Sequence, residues 1–91
     1  MTQTKLFIGS LSNDLLRVAT MIYKKSSGAE IFFREMFRWI DALKTTPVKP
    51  YIRKILEELQ SQRNNKVLTH ERAETYLMYS VLLQNYALHM E

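Results

Sequence analysis

The chain has 91 residues, of which 46% are hydrophobic and 24% are charged, a balance that predicts one ordinary globular domain over residues 1–91. It contains no cysteine, which excludes disulfide bonds and thiolate metal sites and favours a cytoplasmic location. The net charge of +4 is uneven: residues 1–67 carry twelve basic and six acidic side chains, whereas residues 68–91 carry one basic and three acidic side chains.

The pattern of hydrophobic residues predicts an all-α protein, a compact bundle of four helices at about residues 12–25, 28–44, 48–62 and 69–90. Within each segment apolar side chains recur at three- and four-residue spacing, which is the period of one helix face. No segment alternates between apolar and polar residues for long enough to make a sheet. Residues 4–9 are expected to form a short extended N-terminal arm, and the short connections favour antiparallel neighbouring helices.

Capping residues mark the expected starts of the first two helices. Ser12 or Asn13 can cap the first helix, and Asp14 suits the positive charge at a helix N-terminus. Ser27 and Glu30 have the spacing of a capping box, in which the hydroxyl accepts a backbone hydrogen bond and the carboxylate bonds back. The second helix that follows carries the largest predicted core face.

Proline and asparagine residues punctuate the second half of the chain. Pro47 and Pro50 stiffen the connection before the third helix, and either can be the first residue of that helix. The third helix is expected to end in the polar string at residues 63–66, with an asparagine in the left-handed conformation. Thr69 is then expected to cap the fourth helix.

The fourth helix carries no Lys, Arg, Asp or Glu over residues 75–90, a run of sixteen. This run falls short of the roughly 20 apolar residues that span a bilayer, and polar residues such as Ser80 and Gln84 interrupt it, so no membrane contact is expected. Its apolar side chains form two stripes. The broad stripe is Tyr76, Tyr79, Leu82, Leu83, Tyr86, Ala87 and Met90, and the narrow stripe is Leu77, Val81 and Leu88.

A helix that is apolar on two sides must be covered on two sides. We therefore expect one stripe to face the chain's own core and the other to face a neighbour, and the sequence leaves open which is which. The leading hypothesis is a small protein–protein interaction module with an adaptor or regulatory role, a homodimer that pairs through its C-terminal helix and binds a further protein partner. The predicted interface residues are Tyr76, Tyr79, Leu82, Leu83, Tyr86, Met90 and Trp39.

Basic residues around the second connection and the third helix support an alternative function, that of a small DNA- or RNA-binding regulator. Such residues contact phosphates in helix-turn-helix proteins. No glycine-containing tight turn precedes the third helix, however, and Glu57 and Glu58 lie near any surface it could present to a groove. The candidate contacts to nucleic acid or to an acidic partner are Lys44, Lys49, Arg53, Lys54, Arg63 and Lys66.

Catalysis has little support in the sequence. The only histidines, His70 and His89, are nineteen residues apart on one predicted helix, a separation of roughly 28 Å, so one chain cannot bring them to one metal ion. The chain also lacks a Glu-x-x-His pair and a glycine-rich phosphate loop. We therefore expect a protein that is not an enzyme and that binds no cofactor or metal ion.

Overall fold

The computed structural model describes residues 3–90, which form four α-helices. These helices are α1 (Gln3–Tyr23), α2 (Ala29–Ala42), α3 (Pro50–Ser61) and α4 (His70–Leu88). No strand occurs within the described residues, and the side chains of all four helices share one hydrophobic core. The predicted all-α bundle of four helices is confirmed, and α3 begins at the second of the two prolines.

The N-terminal segment differs from its prediction, because residues 4–9 form the first turns of α1 instead of an extended arm. Ile8 and Leu11 are fully buried, and they continue the face that carries Leu15 and Ile22 farther along the helix. The three- and four-residue spacing of the core face therefore extends upstream of Ser12. Since the core covers that face, the helix runs through the positions expected to cap it.

Helix α1 ends just before Lys25, whose φ of 55° is the one left-handed conformation among the described residues. The Lys25 amide donates a hydrogen bond to the carbonyl oxygen of Ile22 over 3.0 Å, which closes the end of the helix. The predicted place for this conformation was an asparagine within residues 63–66. Helix α3 instead ends at Ser61, and the residue that follows it, Gln62, has an ordinary φ of −94°.

The two predicted caps in the second and fourth helices have different outcomes. The capping box does not form: Gly28 is the residue that caps α2, no side chain caps the helix, and the Ser26 hydroxyl accepts a hydrogen bond from the Gly28 amide over 3.2 Å. The prediction for α4 is confirmed, since the Thr69 hydroxyl accepts from the backbone N–H of Arg72 over 3.2 Å.

Helix α1 packs against both α2 and α4 and runs antiparallel to α4. The middle of α1 meets the middle of α4 at Ser12 and Ser80, and Tyr23 at the end of α1 contacts His70 at the start of α4, with ring centroids 5.4 Å apart. Helix α3 covers another side of α4, where the ring of Tyr51 contacts that of Tyr86, and the Tyr76 hydroxyl donates to Gln62 just beyond the end of α3. Helix α4 is thus covered by α1 and α3 and exposes its remaining side.

Two reciprocal hydrogen bonds join α1 to α4. The Ser12 hydroxyl donates to the backbone oxygen of Ser80 over 2.8 Å, and the Ser80 hydroxyl donates to the backbone oxygen of Ser12 over 3.0 Å. Both serines are buried, so each hydroxyl needs this partner. Sliding one helix along the other would break both bonds, and the pair therefore fixes which residues of α1 and α4 lie side by side on the surface.

Candidate interaction surface on α1 and α4

The two apolar stripes of α4 lie on opposite sides of the helix. Tyr76, Tyr79 and Leu83 of the broad stripe are buried, with exposed fractions of 0 to 8%. The narrow stripe is exposed at 38 to 62%. The structure thereby answers the question that the sequence left open: most of the broad stripe packs in the chain's own core, although Leu82 stays exposed, and the narrow stripe faces outward. Tyr76, Tyr79 and Leu83 have no surface to offer a partner in this fold, so we remove them from the predicted interface.

The hydroxyl of Tyr76 shows why a tyrosine suits this core position. It donates to Gln62 Oε1 over 2.5 Å and accepts from Arg72 Nε and Nη2 over 3.0 and 2.6 Å. The Arg72 guanidinium also lies over the rings of Phe33 and Tyr76, 5.2 and 5.5 Å from their centroids. Burial raises the pKa of the Tyr76 hydroxyl, and the hydrogen bond and positive charge of Arg72 offset part of this rise. This role of Arg72 was not predicted, although Arg72 is the only Lys or Arg in residues 68–91.

The other predicted interface residues lie in three different settings. Tyr86 is half-buried, and its ring contacts that of Tyr51 at the start of α3, 6.1 Å between centroids. Trp39 lies against α1, where its indole N–H donates to Asp14 over 2.9 Å. Met90 is half-buried, and Leu82 is exposed on α4. Trp39 and Tyr86 therefore contribute to contacts between helices of the same chain.

The exposed side of α4 continues onto α1. Two shallow grooves of about 300 and 230 Å³ run between the helices, and of the residues that line them only Lys5, at one end, is charged. We call this surface the outer face, and it comprises Leu6, Gly9, Asn13 and Leu16 of α1 with Leu77, Val81, Gln84 and Leu88 of α4. Five of these eight residues are large hydrophobic side chains that remain exposed to solvent.

The α1 half of the outer face was missed in the sequence because residues 4–9 were expected to be extended. Leu6, Gly9, Asn13 and Leu16 recur at three- and four-residue spacing, and this signal could have placed them on one helix face. The backbone at Gly9 is open to its surroundings, since a Cβ built there would have no atom within 4 Å. The outer face is therefore accessible along both helices.

Arg53, one of the six candidate basic contacts, uses its donors within the chain. Its guanidinium donates to the backbone oxygens of Leu43 and Lys44, 3.2 Å in each case, and to that of Thr46. These carbonyls lie at and just beyond the end of α2, where a cation is favoured by the helix dipole. Arg53 therefore stabilises the connection between α2 and α3.

Arg63 is also paired within the chain. It makes two hydrogen bonds of 2.9 Å to the carboxylate of Asp41, and its guanidinium lies 5.1 Å from the centroid of the Phe37 ring. The hydrogen bonds raise the pKa of Arg63 and lower the pKa of Asp41. The remaining candidate contacts are exposed lysines, namely Lys44, Lys49, Lys54 and Lys66.

Asp14 is a buried carboxylate, although it was predicted to lie at the start of a helix. It lies in the middle of α1, where its oxygens accept from Trp39 Nε1 over 2.9 Å and from Arg17 Nη1 over 3.4 Å. Burial raises the pKa of Asp14, and the nearby Glu35 adds to this, against the lowering effect of Trp39 and Arg17. Asp14 therefore joins α1 to α2 at an electrostatic cost.

Other kinds of site find no support among residues 3–90. None of the helices is both long enough and apolar enough to cross a bilayer, and no three His, Asp or Glu side chains are grouped as metal ligands would be. Comparison with protein-family models, with curated proteins and with solved structures finds no match to this chain. Its function must therefore be argued from its surfaces.

Proposed function

We propose that this protein is a small helical protein–protein interaction module that self-associates as a homodimer through the outer face and serves as an adaptor or regulator for a further protein partner. The observation that carries the proposal is the exposed, uncharged side of α4. Val81 and Leu88 are 55% and 62% exposed in the middle and at the end of a helix that has no charged residue after Glu74. Contiguous exposed apolar surface of this kind marks interaction sites.

The solvent sides of the other helices show that this composition is specific to the outer face. On α2 the exposed positions include Arg34, Glu35 and Arg38, and on α3 they include Lys54, Glu57 and Glu58. Charged side chains keep these surfaces hydrated and separate from other molecules. The same chain leaves the outer face without such charges, which is the composition expected of the buried centre of an interface.

The dimensions of the two helices set an upper limit on the size of this interface. Helix α4 has 19 residues, so it is about 28 Å long at the usual rise per residue, and two packed helices are about 20 Å wide. The whole outer side of the helix pair thus has an outline of roughly 550 Å² per copy, or about 1,100 Å² in a dimer, which lies at the low end of the range for protein interfaces, among weak and transient ones. An interface at the lower end of this range is consistent with a reversible dimer.

Sedimentation velocity up to ~100 micromolar protein tests the proposal, with Val81→Glu as the critical variant. We expect a dimer for the unchanged chain and a folded monomer for Val81→Glu, since Val81 is exposed and a carboxylate there is costly only when covered. Ile31→Glu is the matched control, because Ile31 is 62% exposed on α2, outside the outer face, and its replacement should leave the dimer intact. An unchanged chain that stays monomeric at the highest concentration contradicts the proposal.

The alternative proposal, binding of nucleic acid or of an acidic partner, has less support. Two of its six candidate residues, Arg53 and Arg63, are engaged with the chain's own carbonyls and carboxylate. The four exposed lysines remain as its basis, and they lie away from the outer face, on α3 and the connections around it.

A further inference from the structure

We draw no further inference here: the strongest candidate, the cavity of about 360 Å³ that Lys25, Lys66 and His70 line beside the starts of α2 and α4, supports no anion site, because Glu30 and Glu71 in the first turns of these helices oppose its lysines and no buried, unpaired polar side chain among its lining residues points to a ligand.

Discussion

Asp14 illustrates how this protein tolerates a charge among apolar side chains. The residue is 2% exposed, and its carboxylate accepts hydrogen bonds from the indole N–H of Trp39 and the guanidinium of Arg17. These partners compensate part of the desolvation cost, but the raised pKa shows that the protonated form is favoured relative to an exposed aspartate. The carboxylate is therefore a structural acceptor whose ionisation lowers the stability of the fold.

We predict that Asp14→Asn gains stability relative to the unchanged chain as the pH rises. Below the ordinary aspartate pKa of 3.8, Asp14 is protonated in both the folded and unfolded states and contributes no difference. Between that value and the raised pKa of the folded state, the unfolded chain gives up the Asp14 proton while the folded chain keeps it. The free energy of unfolding of the unchanged chain therefore falls as the pH rises through this interval. The amide retains an oxygen that can accept from Trp39 and has no charge to bury. Urea unfolding at acid and neutral pH measures the effect.

The control for this prediction is Asp14→Ala, which removes the acceptor for Trp39. We expect it to lower the free energy of unfolding at neutral pH by about 1 kcal/mol, because the indole N–H of the half-buried Trp39 loses its acceptor. If the unchanged chain instead becomes more stable than Asp14→Asn as the pH rises, then Asp14 stabilises the fold through its charge and the argument from desolvation is incorrect.

The length of α1 determines whether the outer face has two helices or one. Leu6 and Gly9 belong to the face only because residues 4–9 are helical. In an extended arm these residues would have no fixed relation to Val81 or Leu88. The burial of Ile8 against the core keeps this segment helical, so the α1 half of the interaction surface depends on a core contact on the opposite side of the same turn.

We predict that Gly9→Ala stabilises the fold by roughly 0.5–1 kcal/mol, because alanine is the better residue in a helix interior and its Cβ would meet no atom within 4 Å. Thermal unfolding at low protein concentration, where the chain is monomeric, measures this change. Gly28→Ala is a useful comparison, since its Cβ would lie 3.3 Å from Met21 Sδ, and we expect no gain there. An unchanged stability in Gly9→Ala would indicate that residues 4–9 are not helical.

Much of the fold was predictable because its signals are local. The predicted limits of the second, third and fourth helices lie within two residues of the observed limits, and Pro50 and Thr69 mark helix starts as expected. The start of α1 was not predictable in this way. Ser12 and Asp14 have the composition of a helix start, yet their side chains bond to α4 and α2, and such long-range partners cannot be identified from local sequence.

The candidate site was predictable only in part. The uncharged run correctly identified α4 as a helix with two apolar sides, but the choice between its stripes depends on where α1 and α3 lie. Most of the broad stripe, with the exception of Leu82, is covered in the structure, and Gln62 and Arg72 form hydrogen bonds with the hydroxyl of Tyr76 within the fold. The sequence contains these residues but not their distances, so the tyrosines were equally compatible with a protein interface.

The whole molecule separates its uncharged surface from its charged ones. The outer face lies on α1 and α4, whereas the exposed lysines of the alternative proposal lie on α3 and the connections that flank it. Association through the outer face is driven by apolar burial, and association through the lysines is driven by charge. The two proposed functions therefore differ in how salt acts on them, and one protein sample can be used to compare them.

We predict that dimerisation is nearly independent of salt, or slightly strengthened, between about 50 and about 500 mM sodium chloride, because little charge is neutralised at the outer face. Sedimentation equilibrium at several salt concentrations gives the dissociation constant directly. Binding of nucleic acid through four lysine contacts would instead weaken about a hundredfold between about 50 and about 200 mM salt, since each phosphate contact releases counterions. A dimer that dissociates steeply as salt is added would show that ion pairs hold the two copies together, and the interface would then have to include charged surface outside the outer face.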